Sequence, residues 1–250
     1  MYFFEQKFKK FLVGPHFFVL TKRRCAVYCL FMVLVGILTG TLIMISSYAD
    51  NFTKGDTLSV IVDAGHGGED GGASSADGLL EKDLNLALAL TMRDILVASG
   101  VNVILTRDSD TLLYDRNVDF QGRKKMLDMA ARLKIAENAS NPVFVSLHMN
   151  TYPHPSCKGV QVWYSENNDS SFELARTIHA TTQEILQHEN DRPVKRSGSS
   201  IYLLHHLQCP AVLVECGFLS NPEEAALLAN ENYRQQLALT LCMGILRTIT

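Results

Sequence analysis

The sequence predicts an α/β/α sandwich built on a mostly parallel, mixed sheet, and two observations carry that prediction. Continuous apolar, β-branched runs at 58–63, 101–106, 143–148 and 211–215 are bounded by glycine, proline or polar residues. That is the pattern of strands buried on both faces of a parallel sheet. Longer segments with apolar residues at helical spacing lie between and after these runs, and such alternation packs helices on both faces of one sheet.

The helical segments follow a common logic. Residues 81–99 place Leu84, Leu88, Met92 and Leu96 on one face, and Gly100 stops the helix. Segments 123–139, 172–187, 222–229 and 233–248 repeat that periodicity. The run Gly159-Val160-Gln161-Val162-Trp163-Tyr164 alternates instead, which predicts a half-exposed edge strand.

The N-terminus reads differently. Residues 25–45 are uncharged and mostly apolar, and about 20 such residues form a helix that crosses a bilayer core of roughly 30 Å. Lys7, Lys9, Lys10, Lys22, Arg23 and Arg24 precede this span against Glu5, whereas Asp50, Lys54 and Asp56 follow it. The positive-inside rule then puts the N-terminus in the cytoplasm. The expected organisation is a basic cytoplasmic tail (1–24), a transmembrane anchor or signal segment (25–45), a linker (46–56) and one compact extracytoplasmic domain (57–250). The span is longer than the apolar core of a secretory signal, about 7–15 residues, which favours an anchor. Ser47-Tyr48-Ala49 nonetheless supplies the small residues of a cleavage site, so anchored and secreted forms both stay open.

Net charge is −3, with no basic cluster outside the tail, which excludes nucleic acid as a partner. Cys25 and Cys29 lie in the apolar span; Cys157, Cys209, Cys216 and Cys242 show no CxxC spacing. They suggest neither a zinc knuckle nor a disulfide framework, and Cys157 and Cys209 are read as either a bridge or separate thiols.

Four residues carry the chemistry. His66 follows the first strand in Asp63-Ala64-Gly65-His66-Gly67-Gly68-Glu69-Asp70-Gly71-Gly72-Ala73. A phosphate cradle is excluded there, because neither glycine spacing fits and Glu69, Asp70 and Asp77 repel phosphate. A lone histidine in such a loop is more often structural, and a helix-start glutamate such as Glu81 is common. His148, however, ends the strand at 143–148, and ligands of open α/β sheets bind outside the carboxyl ends of the strands. His66, Glu81 and His148 together match the His/His/Glu sets of catalytic zinc, which leave a fourth position for water.

Glu215 closes an apolar strand, where a carboxylate needs either a partner, with Arg107 or Arg132 as candidates, or a task such as general base. Cys216 reads as packing rather than a nucleophile. Arg107 and Asn150 are expected as hydrogen-bonding, substrate-binding residues at the cleft. His205 and His206 fall in a loop within reach of substrate, whereas His154, His179 and His188 read as exposed.

Five separated blocks also carry a resemblance. Val62-Asp63-Ala64-Gly65-His66-Gly67-Gly68, Leu80-Glu81-Lys82-Asp83, Thr106-Arg107-Asp108, Ser146-Leu147-His148-Met149-Asn150 and Val214-Glu215-Cys216-Gly217-Phe218-Leu219-Ser220-Asn221 occur in order. The chain from about residue 58 onward resembles the zinc-dependent N-acetylmuramoyl-L-alanine amidases of the type-3 amidase family. That resemblance implies zinc ligation by His66, Glu81 and His148, a catalytic Glu215, and peptidoglycan as substrate. Valine often stands in the family where Cys216 stands here, which agrees with packing. The layout of one membrane segment, one catalytic domain and no wall-binding repeats resembles the germination-specific amidases of the spore cortex. This implies a role in muramic δ-lactam formation together with a muramic acid deacetylase. The inserted regulatory helix of Gram-negative division amidases does not fit between His148 and Glu215. Two rivals stay open: a zinc peptidase acting on stem peptides, which product analysis would separate, and a non-catalytic wall-binding module, which should lack one of the four key residues.

Overall fold

The structure, a computed structural model, describes residues 22–54, 57–115, 117 and 121–249, in two units spanning 1–55 and 56–250. In the first unit, α1 (Lys22–Lys54) contains the apolar stretch Ala26–Met44, with mean hydropathy 2.4 and no buried residue. A helix of that length spans about 28 Å, enough by length and composition to cross a bilayer core. The two threonines of this stretch are satisfied within the helix: the Thr39 hydroxyl donates to the Val35 carbonyl (2.9 Å) and that of Thr41 to the Leu38 carbonyl (2.9 Å). The helix continues through most of the stretch expected as a linker, and the basic tail as far as residue 21 lies outside the described residues.

The second unit is a single sheet with helices on both faces. In chain order its elements are β1 (Ser59–Ala64), α2 (Glu81–Ala98), β2 (Asn102–Leu105), α3 (Lys124–Glu137), β3 (Pro142–Asn150), β4 (Gln161–Tyr164), α4 (Ser170–Ile185), β5 (Lys195–Arg196), α5 (Tyr202–His206), β6 (Ala211–Phe218), α6 (Pro222–Ala229) and α7 (Glu231–Ile249). The strand order is β2-β1-β3-β6-β4-β5, parallel throughout except that β4 runs antiparallel to β6. The mostly parallel, mixed sheet expected from the buried runs is therefore present.

Period-two alternation sorts the strand residues between two cores. Val60, Val62, Val145, Leu147, Val212 and Val214 pack under α2, α4 and α7. Ile61, Phe144 and Ala211 face the opposite way, onto Leu203, Leu204 and Leu207 of α5 and its following turn and onto Ala136 of α3. A fully buried side chain of this kind contributes about 1.5–3 kcal/mol. The second face is covered by less helix, and the cleft opens on that side of the sheet's carboxyl edge.

Several expectations need correction. β4 is not an edge strand: β5 pairs with it at Trp163 and Tyr164, and Gln161 and Val162 are buried. His179 is half-buried on α4, where burial lowers the pKa of its imidazole. His205 and His206 lie on α5 rather than in a loop, with His206 stacked on Tyr202 at 4.1 Å between ring centroids. Cys157 and Cys209 are free thiols, not a bridge. Burial pushes the Cys209 thiol up to about 11 and the Cys242 thiol up to about 12.

Candidate metal centre

β1 ends at Ala64, and the next residues turn sharply at the sheet edge. His66 adopts a left-handed backbone (φ 62°), which a non-glycine residue holds only when its surroundings enforce it. Two buried guanidinium groups do so. Arg132 donates to the carbonyls of Ala64 (2.7 Å) and His66 (2.7 Å). Arg107 donates to those of Ala64 (2.9 Å), Gly65 (3.0 Å) and Lys82 (2.7 Å), and Asn85 adds a bond to Gly65 (3.2 Å). Each carbonyl of the turn is thereby fixed, and with it the direction of the imidazole.

Arg132 is itself held by carboxylates. It is fully buried and pairs with Asp63 (2.6 Å) and Asp128 (2.8 Å). Asp63 also accepts from Ser146 (2.5 Å) and Thr106 (2.7 Å). Burial alone would raise the Asp63 carboxyl, but the Arg132 charge and these hydrogen bonds hold it below the usual carboxylate range.

Glu81 starts α2 and His148 lies near the end of β3, so a helix start and a strand end converge on the turn. Glu81 is 3 % exposed, and its Oε1 lies 3.2 Å from His66 Nε2 and 2.9 Å from His148 Nδ1. The Glu81 carboxylate also accepts from the backbone of Ala73 (2.7 Å) and Met149 (3.0 Å), so both oxygens are oriented. Burial disfavours its charge, but the two imidazoles outweigh burial and the carboxyl sits far below its ordinary value. For His66 burial pulls the pKa down, and Glu81 and Asp70 more than reverse this.

Two glycines leave space for the rings. A Cβ on Gly65 would fall 2.4 Å from the His148 ring, and one on Gly72 would fall 2.5 Å from a Glu81 oxygen. No side chain fits at either place without displacing the His148 ring or the Glu81 carboxylate.

One ligand atom each from His66, Glu81 and His148 lies within 4.8 Å of the others. Four donors around zinc at about 2.0–2.1 Å stand roughly 3.3 Å apart. The separations of 3.2 and 2.9 Å to Glu81 Oε1 therefore fit such an ion. Asp70 Oδ2 stands 3.0 Å from His66 Nδ1, the outer carboxylate that commonly orients a ligating imidazole.

Glu215 is placed by strand pairing, opposite His148 on one side and Gln161 on the other. Its Oε2 is buried without a hydrogen-bond partner among the described residues. Burial pushes the carboxyl up to about 7, with His148 pulling it back and Glu81 adding to the rise. Neither arginine considered as its partner reaches it, because both are committed to the turn. Asn150 lines the same cleft, its Oδ1 accepting from Thr151 (2.8 Å). Arg107, expected as a substrate-binding residue, is corrected: it is 3 % exposed, serves backbone carbonyls and does not line the cleft. Cys216 is fully buried and burial pushes its thiol far up, which removes it as a nucleophile.

Known proteins share this arrangement of elements. The germination-specific N-acetylmuramoyl-L-alanine amidase of Bacillus subtilis strain 168 is 35% identical over 191 residues, 76% of this chain and 79% of the relative. The CwlD amidase of Clostridioides difficile, solved in complex with the GerS lipoprotein, superposes with a TM-score of 0.72 at 37% identity, covering 76% of this chain and 98% of that one. The amidase AmiC2 of Nostoc punctiforme gives 0.64 at 33% identity, covering 77% and 97%. The sequence model of type-3 amidases matches residues 60–247, and the chain therefore belongs to the N-acetylmuramoyl-L-alanine amidase family.

Proposed function

We propose that His66, Glu81 and His148 hold a zinc ion and that Glu215 is the general base for hydrolysis of the amide between N-acetylmuramic acid and L-alanine in peptidoglycan. The observation that carries this reading is the convergence of three ligand atoms within 4.8 Å beside a buried carboxylate oxygen that has no hydrogen-bond partner among the described residues. When bound, zinc supplies Lewis acidity, polarising the scissile carbonyl and making water a nucleophile near neutral pH. The chain's own groups do the rest. Glu215, a buried carboxylate with an oxygen that no described hydrogen bond engages, takes the proton of the attacking water and returns it to the departing L-alanine amine. Asn150 lines the cleft, which supports its reading as a substrate-binding residue. His148→Ala removes one ligand, so the purified domain is expected to fall from about one zinc per chain to almost none. Metal analysis showing full zinc content in that variant would remove His148 from the ligand set.

The reading extends to place and role. A basic tail before an apolar helix supports an extracytoplasmic domain, anchored by that helix or released from it. The similarity to a germination-specific amidase supports action on spore cortex, where removal of the peptide precedes deacetylation of muramic acid and closure of the δ-lactam. Spores of a deletion strain are then expected to assemble with cortex lacking muramic δ-lactam and to stall in germination. Normal δ-lactam content in muropeptide analysis would move the protein to general wall turnover.

A further inference from the structure

Two cavities meet at the metal centre. The open cleft, about 440 Å³, is lined by Glu81, Asn150 and Glu215 among others. A more enclosed cavity of about 200 Å³ runs from it towards α3 and α5, with mostly apolar walls that include Met129, Ile201, Tyr202 and Leu213. Four residues line both: His66, Asp70, Lys125 and His148. Three of these are a ligand, its outer carboxylate and a second ligand. Lys125 belongs to neither group.

Its position is unusual on local grounds. Lys124 and Lys125 open α3, where the positive end of the helix dipole disfavours a cation, and the first turn holds no acidic residue. Lys124 pairs with Glu69 and lies over the Tyr114 ring. Lys125 makes one loose ionic approach, 3.8 Å to Asp70, and its side chain is 75% exposed. Among the described lining residues the other cation is Arg132, fully buried and committed to Asp63 and Asp128. Lys125 is thus, among the described side chains lining the cleft, the cation available to a ligand beside the ionised Asp70. A substrate carboxylate that lies beside the ionised Asp70, away from the metal position, is repelled unless a cation meets it.

We propose that the apolar cavity and Lys125 form the subsite for the stem peptide, with Lys125 pairing to the first free carboxylate beyond the scissile amide. This rests on the amidase reading and adds which part of the substrate goes where. A glycan strand continues in both directions and needs the open cleft, whereas a peptide branch has a free end and can enter the enclosed one. The cavity accepts a short apolar group, matching the methyl of L-alanine. The next residue of a stem peptide is D-glutamate joined through its γ-carboxyl, leaving an α-carboxylate or, where amidated, a neutral α-amide. One or two residues span about 3.3–7 Å, and Lys125 stands one carboxylate away from His66.

The test uses two muramyl dipeptides, N-acetylmuramoyl-L-alanyl-D-glutamate and its α-amide, with wild type, Lys125→Ala, Lys125→Arg and Lys125→Glu, all checked for equal zinc content. Wild type is expected to favour the carboxylate by about five- to tenfold in kcat/KM, through KM, the size of a rim ion pair with a charge-assisted hydrogen bond. Lys125→Ala should lose that discrimination, Lys125→Arg should keep it, and Lys125→Glu should reverse it. Equal rates on both substrates by wild type, or an unchanged preference in Lys125→Ala, would overturn the assignment while leaving the amidase reading intact. Zinc-loaded wild type that releases no L-alanine amine from either substrate, or from polymeric peptidoglycan, would overturn both.

Discussion

Glu215→Gln is expected to lower kcat by about 10²–10⁴ while zinc remains bound, because the amide keeps the shape of the side chain and removes its basicity. The carboxylate sits opposite His148 in the β3–β6 ladder, yet among the described residues its Oε2 has no hydrogen-bond partner. A buried polar atom left in that state costs stability, and an active site is where such a cost is retained. Burial raises the carboxyl to about 7, and a bound cation would draw it lower. A base works deprotonated, so wild-type kcat/KM should fall on the acid side of the Glu215 pKa, and this limb should be absent from the residual activity of Glu215→Gln. The folded pKa lies above the ordinary 4.5. In the metal-free domain, stability from the neutral carboxyl is therefore full below about 4.5 and is lost as pH rises through about 7. Denaturation of the metal-free proteins should show the glutamine variant losing less stability between about pH 4.5 and 7. Near-wild-type kcat in the variant would assign Glu215 to structure alone, and loss of zinc would make it a ligand.

The convergence of His66, Glu81 and His148, the proposed ligand set, is legible in the sequence because each of them sits at the end of an element whose pattern is strong. His66 and His148 follow buried β-branched runs, Glu81 opens a long amphipathic helix, and a sheet's carboxyl edge gathers such ends. What holds the set in place was hidden for a physical reason. Hydrogen bonds to backbone carbonyls leave no trace in residue spacing, so Arg107 read as a residue of the cleft although it braces the turn beneath it. Arg132 left a fainter signal: Asp128, Arg132 and Ala136 repeat at four-residue steps, and all three prove buried on α3. An acid–base pair at that spacing beside Met129 and Leu133 marks a charged pair facing inward. β5 and α5 are too short for periodicity to register, and without β5 the alternation of 159–164 reads as an edge. The α5 wall of the enclosed cavity was missed with them. Lys125 was silent because an exposed lysine at a helix start resembles any surface lysine.

Arg132→Met is expected to destabilise the domain by about 3–5 kcal/mol, the cost of breaking a buried ionic network from one side. Methionine fills similar space, so lost packing contributes little. Asp63 and Asp128 are left buried with their cation gone, at 1% exposure each. The carbonyls of Ala64 and His66 also lose donors, and the left-handed turn at His66 loses its brace. Zinc affinity should therefore fall by about 10–100-fold, as when outer-shell support of a ligand is removed. The pH dependence gives the effect a signature. In wild type the Asp63 carboxyl is depressed below 3.8, so its contribution is present above that value and is lost as pH falls through the depressed pKa. Without Arg132 burial dominates and the Asp63 pKa rises, so the variant relieves part of its deficit by protonation. Urea denaturation should show a larger gap between variant and wild type at pH 7 than at pH 5. Adding Asp63→Asn to Arg132→Met should recover part of the loss at pH 7, because the amide carries no charge for burial to penalise. A deficit below about 1 kcal/mol, the same at both pH values, would show that the ion pairs contribute no more than surface contacts do.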